Sequence, residues 1–163
     1  MHGANATGRP FTGDFAGILL YKTLFKYGYG SAPESVSRDD GLTLSGCRIT
    51  NAVKCLPPQN KPLSTEIHAC NDFLAAEISA LPEGTVVLAL GTIAHQAVLR
   101  AMGLKLSAYK FGHAAEHALP AGLRLIDSYH CSRYNTQTKR LTEAMFHGVF
   151  ERIAELAGQA VPA

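Results

Sequence analysis

The 163-residue sequence contains no apolar stretch long enough to cross a bilayer, and its first residues show no basic flank followed by an apolar core of the kind that directs secretion. These two absences lead to the expectation of a cytoplasmic protein that makes no membrane contact. Cysteine is scarce as well. Cys47, Cys55, Cys70 and Cys131 lie far apart, which argues against a secreted disulfide framework and leaves thiols or metal ligands. Lys and Arg form no long run, so a formal net charge of +2 and a pI near 8.4 permit a polyanionic partner without arguing for one. No low-complexity tract and no repeat at solenoid spacing is present. With 47% hydrophobic residues the chain can bury one sizeable core, so a single domain over 1–163 is expected.

What is there is a series of periodic segments separated by Gly and Pro. Asp14 can cap a helix carrying Ile18, Leu19, Leu20, Leu24 and Phe25, which Gly28 and Gly30 end. Leu42 to Val53 contains β-branched residues and then meets Pro57 and Pro58, so it reads as a strand running into a rigid loop. A helix is expected from about Thr65 to Leu81, and the unbroken apolar run Thr85 to Leu90 is a buried-strand candidate. Gly91 opens a helix that Gly103 closes, and Lys110 to Gly122 is irregular and His-rich. Leu123 to Tyr129 makes a further strand, and Leu141 to Leu156 a final amphipathic helix. Alternating strands and helices predict an α/β protein with a parallel sheet covered on both faces and its site at the carboxyl ends of strands.

Three segments fall at such ends: His2 to Asp14 (HGANATGRPFTGD), Ile49 to Pro62 (ITNAVKCLPPQNKP) and Ser128 to Thr138 (SYHCSRYNTQT). In this order and spacing they cover nearly the whole chain, and together they resemble the uracil-DNA glycosylases of the iron-sulfur type. Thr12-Gly13-Asp14 and the Asn135 to Thr138 tail favour family 5 over family 4. The resemblance implies a three-layer α/β/α fold around a mostly parallel four-stranded sheet. It also implies hydrolysis of the N-glycosidic bond of uracil in DNA, with hypoxanthine and other deaminated bases as plausible further substrates.

Such an enzyme extrudes the nucleotide, holds the base by its π-face and pairing edge, and helps it leave as an anion. Phe11, in a turn preset by Pro10, matches the family's aromatic that stacks on uracil, although the residue type alone fits a core Phe equally well. Asn51 is a candidate for reading the pairing edge, and so is Asn60, a second family active-site amide; the sequence leaves open which of them does so. An Asn satisfying loop backbone is the plain alternative. His130 matches the donor to O2 of the departing base, and Asp14 the carboxylate that offsets positive charge on the sugar, its plain alternative being a helix cap. His113 and His117 read as loop residues. Ser132, Arg133, Asn135, Thr136, Gln137 and Thr138, in a loop leading into a helix, suit DNA contacts and a wedge into the groove.

Cys55 and Cys70 match the second pair of cysteines that bind a 4Fe-4S cluster in the family, whose first pair lies nearer the N-terminus. No such first pair precedes the first motif here, so the chain is expected to be a domain incomplete at its N-terminus, lacking the first strand and holding two of four ligands. The expected partner is uracil-containing DNA, and the expected state a monomer. Two rival readings are a DNA-binding relative of the same fold without catalysis and, ranked lower, a relative that bonds covalently to the abasic sugar.

Overall fold

The computed structural model describes residues 9–52 and 64–159, the side chains of 64–70 excepted. In chain order the elements are α1 (Phe15–Lys26), α2 (Ser64–Ser79), β1 (Val86–Leu90), α3 (Thr92–Ala101), β2 (Glu116–Ala118), β3 (Arg124–Ser128), α4 (Arg133–Gln137) and α5 (Glu143–Leu156). They belong to two compact units: residues up to Thr50 with those from His130 onward, and Asn51–Tyr129.

The second unit is built on a three-stranded sheet of order β1-β3-β2. β1 is the uncharged run VVLAL and runs parallel to β3, Val86 opposite Arg124 and Leu90 opposite Ser128. β2 is antiparallel to β3, with His117 opposite Leu125. The central strand is buried from Leu125 through Ser128, so both of its faces are covered. One face takes α2 and α3. Leu74 and Ile78 of α2, and Ala97, Val98 and Leu99 of α3, close over Ala89 and Leu125. Full burial of side chains such as Leu99 and Leu125 stabilises the unit by about 1.5–3 kcal/mol each. The buried polar side chain of Asn71 in α2 is satisfied: its Nδ2 donates to the Ala97 carbonyl of α3 at 2.8 Å. Gly91 starts α3 at φ 94°, a conformation that a side chain would strain, and its N–H donates to the Ser128 carbonyl at 2.8 Å.

In the first unit α1 packs on α5. Leu20, Tyr21 and Leu24 are the buried side of α1, and Phe146, Val149 and Phe150 that of α5. Each helix begins on a side-chain cap. Asp14 accepts from the Gly17 N–H, and Thr142 Oγ1 from the Met145 N–H at 3.2 Å. Among the described residues no helix is long and apolar enough to cross a membrane.

The α/β class holds, with three strands among the described residues and a mixed sheet. Two expectations are corrected. The described part of Leu42 to Val53 is not a strand; it makes one antiparallel bridge, Gly30 with Leu44, held by Ser31 N–H to the Thr43 carbonyl and Ser45 N–H to the Tyr29 carbonyl, each at 3.0 Å. Gly46, at φ 68°, then turns the chain out of an extended path. Conversely, the segment expected to be irregular over Lys110 to Gly122 contains β2, the sheet's antiparallel edge.

Candidate active site

His130 stands two residues beyond the end of β3, and the chain turns at once into α4. Ser132 caps that helix, its Oγ accepting from the Asn135 N–H at 3.4 Å. The Asn135 amide then donates back to the His130 carbonyl at 2.8 Å, which fixes the backbone that carries the imidazole. Burial pushes the His130 pKa below the usual imidazole value, against the opposing pull of the Asp14 carboxylate. A neutral ring near pH 7 keeps one N–H to donate and carries no charge that must be desolvated.

Phe11 is positioned by a turn over Arg9–Thr12, closed by the Thr12 N–H on the Arg9 carbonyl at 3.3 Å. Pro10 presets the second position, and Phe11 occupies the third at φ 59°, the geometry of a type II turn that normally calls for Gly. A side chain there costs about 1 kcal/mol or more. Four sets of contacts hold it. Tyr21 Oη donates to the Pro10 carbonyl at 2.7 Å, and Thr12 Oγ1 lies 2.7 Å from Ser35 Oγ. The Arg9 guanidinium donates to Asp40 at 2.6 Å, to Ser35 Oγ at 3.0 Å and to the carbonyls of Arg38 and Leu42 at 2.9 and 3.3 Å. Finally, α1 approaches the turn so closely that a Cβ on Gly17 would overlap the Phe11 carbonyl oxygen. Asp40 anchors this arrangement: the Leu42 N–H, followed by those of Val36 and Ser37 and by Arg9, holds its carboxyl well below the usual carboxylate range.

The outcome is that the Phe11 and His130 rings lie 5.9 Å apart, centre to centre, with planes tilted by 34°. Asp14 joins them as the cap of α1, its Oδ1 accepting the Gly17 N–H at 3.0 Å, exposed and close enough to bias the ionisation of His130. An aromatic face, a neutral donor and a carboxylate thus share one locus of the first unit. That set suits an extruded base that leaves with negative charge while positive charge grows on its sugar.

The other residues singled out from the sequence are placed as follows. Asn51 opens the second unit, exposed and outside regular structure. Asn60 and Cys55 lie outside the described residues, as does the side chain of Cys70, whose backbone belongs to α2. Of the set assigned to DNA, Ser132 caps α4 and Asn135 holds His130. Thr136 Oγ1 donates to the Ser132 and Arg133 carbonyls at 3.1 and 3.0 Å, and Thr138 Oγ1 to the Tyr134 carbonyl at 2.8 Å. Gln137 is exposed, and so is Arg133, whose guanidinium lies 5.9 Å over the Phe15 ring. His117 is a strand residue of β2 rather than a loop residue, while His113 lies outside regular structure; its Nδ1 accepts from the Tyr129 N–H at 3.3 Å and its ring stacks on Tyr129. Sequence reasoning missed Arg9, Gly17 and the inward role of Asn135. For Arg9 and Asn135 the only signal was membership of the motifs, and Gly17, which lies outside them, had none.

Burial pushes the Cys131 thiol up to about 12, and burial also raises Cys47, so both favour the protonated form.

The profile of the Uracil DNA glycosylase superfamily matches residues 1–154. The chain is 50% identical over 157 residues to the type-5 uracil-DNA glycosylase of Thermus thermophilus, a match covering 96% of this chain and 71% of that protein. It is 43% identical over 157 residues to the type-5 uracil-DNA glycosylase of Pyrobaculum aerophilum, covering 96% and 68%. To that of Mycobacterium leprae it is 42% identical over 159 residues, covering 96% and 69%.

Proposed function

The chain belongs to the uracil DNA glycosylase superfamily, on its type-5 branch, and from that premise we propose that its Phe11, His130 and Asp14 locus hydrolyses the N-glycosidic bond of uracil in DNA. The observation that carries the assignment of the site is the 5.9 Å approach of the Phe11 ring to the His130 imidazole. The base, turned out of the stack, lies against the Phe11 face. As the bond from the sugar C1′ to N1 breaks, its electron pair goes to the base, and the N–H of neutral His130 stabilises the charge that gathers on O2. Asp14 faces the positive charge on the sugar and orients the water that completes hydrolysis, leaving an abasic site and free uracil. Asn51 or Asn60 reads the pairing edge, and other deaminated bases are further substrates. No observation favours the non-catalytic relative.

The test is single-turnover release of uracil from a labelled duplex by the wild type and by His130→Asn. Losing a preorganised donor should lower the rate by about 10²- to 10³-fold with DNA binding retained. A variant as fast as the wild type would remove His130 from the chemistry.

Family resemblance supports Cys55 and Cys70 as two of the four thiolates of a 4Fe-4S cluster, which would supply structural order rather than a chemical step. Iron and acid-labile sulfide counted per chain, and their loss in Cys70→Ser, test this. The protein acts as a cytoplasmic monomer on uracil-containing DNA, which sedimentation and cell fractionation check.

A further inference from the structure

The second unit buries three metal-competent side chains for which base excision has no use. Asp127, in β3, is fully buried. Its carboxylate meets two imidazoles, Oδ1 lying 2.8 Å from His95 Nδ1 and Oδ2 3.2 Å from His117 Nε2. α3 supplies His95 and β2 supplies His117, whose register partner Leu125 is two residues from Asp127 on the same face of the sheet. The three ligand atoms all lie within 4.8 Å of one another. The ion pairs made by Asp127 among the described residues are these two, so the carboxylate lacks the Lys or Arg that a buried charge ordinarily requires.

Counting hydrogens sharpens the point. His95 Nε2 lies 3.1 Å from the Tyr109 carbonyl, which can only accept, so Nε2 carries the ring hydrogen. Nδ1 of a neutral ring is then bare, yet it faces a carboxylate that also only accepts. Something positive must stand between them, either a second proton or a cation. A ring N–H held on a main-chain carbonyl is also the outer-shell arrangement that sets the tautomer of metal-binding histidines.

We propose that His95 Nδ1, His117 Nε2 and the Asp127 carboxylate bind a divalent cation of the zinc class, with a fourth position open to water on the side of His117. Two imidazoles and one carboxylate form a donor set suited to zinc. His117, its side chain 14% exposed, is the route of entry, while His95 and Asp127 are closed off at 3% and 0%. On a tetrahedral ion with bonds of about 2.0 Å, neighbouring donor atoms stand about 3.3 Å apart. Through Oδ2 the His117 and Asp127 donors already have that separation, and the remaining pairs of ligand atoms, all within 4.8 Å, adjust to reach it. The ion ties α3, β2 and β3 together, pinning a three-residue edge strand that has little pairing of its own. This site uses no thiolate and does not depend on the glycosylase reading.

The test uses the full chain, stripped with a chelator and titrated with zinc alone and then with cobalt. The wild type should bind one ion at this site, and at about 100 times Kd its Tm should rise by about 5 °C or more. Cobalt bound there should show ligand-field bands without thiolate charge transfer, which separates the site from the cysteines. His117→Gln, which alters the least buried ligand, should weaken binding by at least about tenfold, while Cys70→Ser leaves it unchanged. Should His117→Gln fail to fold, the wild-type titration and the cobalt spectrum still decide. Absence of a bound ion at saturating zinc, a spectrum of thiolate origin alone, or wild-type affinity in His117→Gln would each overturn the site and assign the positive charge to a proton.

Discussion

The Asp14 carboxylate accepts the Gly17 N–H at 3.0 Å, and it also biases both His130 and Cys131 toward their protonated forms. Capping and electrostatics therefore share one side chain, and two substitutions can separate them. Asn caps a helix about as well as Asp, whereas Ala does not. Asp14→Asn should keep stability within a few tenths of a kcal/mol while Asp14→Ala loses about 1 kcal/mol. Both should lower the plateau rate, by about 10²-fold if the carboxylate orients the water. The pH profile adds a sign. Neutral His130 is the active form, so activity is lost as pH falls and the ring takes up a proton; the negative charge of Asp14 favours that uptake. Removing the charge while keeping the cap should move the acid limb of the rate profile to lower pH. A limb that moves upward, or stays fixed while the plateau stays high, would confine Asp14 to capping.

At the scale of the element, α4 has only five residues, too few to form in isolation. It exists because the Ser132 cap, the bond from Asn135 to the His130 carbonyl and the Leu141 N–H on the Asn135 carbonyl at 3.0 Å hold it at both ends. Its two polar sides should therefore fail differently. Asn135→Ala frees the backbone of His130, so the rate constant for base release should fall while duplex affinity holds. Arg133→Ala removes an exposed cation, so duplex affinity should weaken and the slope of log K against log salt should shrink by about 0.9, with base release unchanged. Single-turnover rates and binding measured across a salt series distinguish the two; equal effects of both variants on rate and affinity would contradict the division. The same element marks what the sequence made legible. α1 was readable from its Asp14 cap and α5 from its apolar stripe, although Ile18 and Phe25, read as part of the apolar side of α1, are exposed. The strands before Gly91 and His130 were readable as apolar runs, the first of them half-buried apart from Ala89. β2 was not, since Glu116-His117-Ala118 has neither length nor β-branched residues and is held only by pairing with β3. Leu42 to Val53 had the composition of a strand, but among its described residues it makes a β-bridge at Leu44 and no strand. Phe11 and His130 stood out through their motifs. Arg9 and Gly17 did not, because gripping a loop and yielding space to a carbonyl leave no periodic trace.

For the molecule as a whole, the pKa displacements have opposite signs on the two sides of neutrality, and together they fix the shape of the stability curve. Burial lowers His130 and His147, so below about pH 6.5 the unfolded chain takes up protons that the folded chain refuses, and stability falls as pH falls. Hydrogen bonds hold Asp40 low, that of the Leu42 N–H first, and the Lys22 bond at 2.9 Å does the same for Glu143; both add to the loss below about pH 4. On the alkaline side burial raises Cys131 to about 12, and burial together with the bond to Glu151 raises Tyr27 to about 12. The unfolded chain releases these protons from near pH 9 and pH 10, and stability is lost as pH rises from there toward 12. Thermal unfolding at fixed ionic strength should therefore show a plateau between about pH 7 and 8.5, with a falling flank on either side. His147→Gln should make the flank between pH ~6.5 and ~5 shallower and leave the alkaline flank untouched. A Tm that climbs below pH ~6, or an alkaline flank still level at pH ~11, would show that the half-buried imidazoles and the Cys131 thiol do not carry the displacement that their burial imposes.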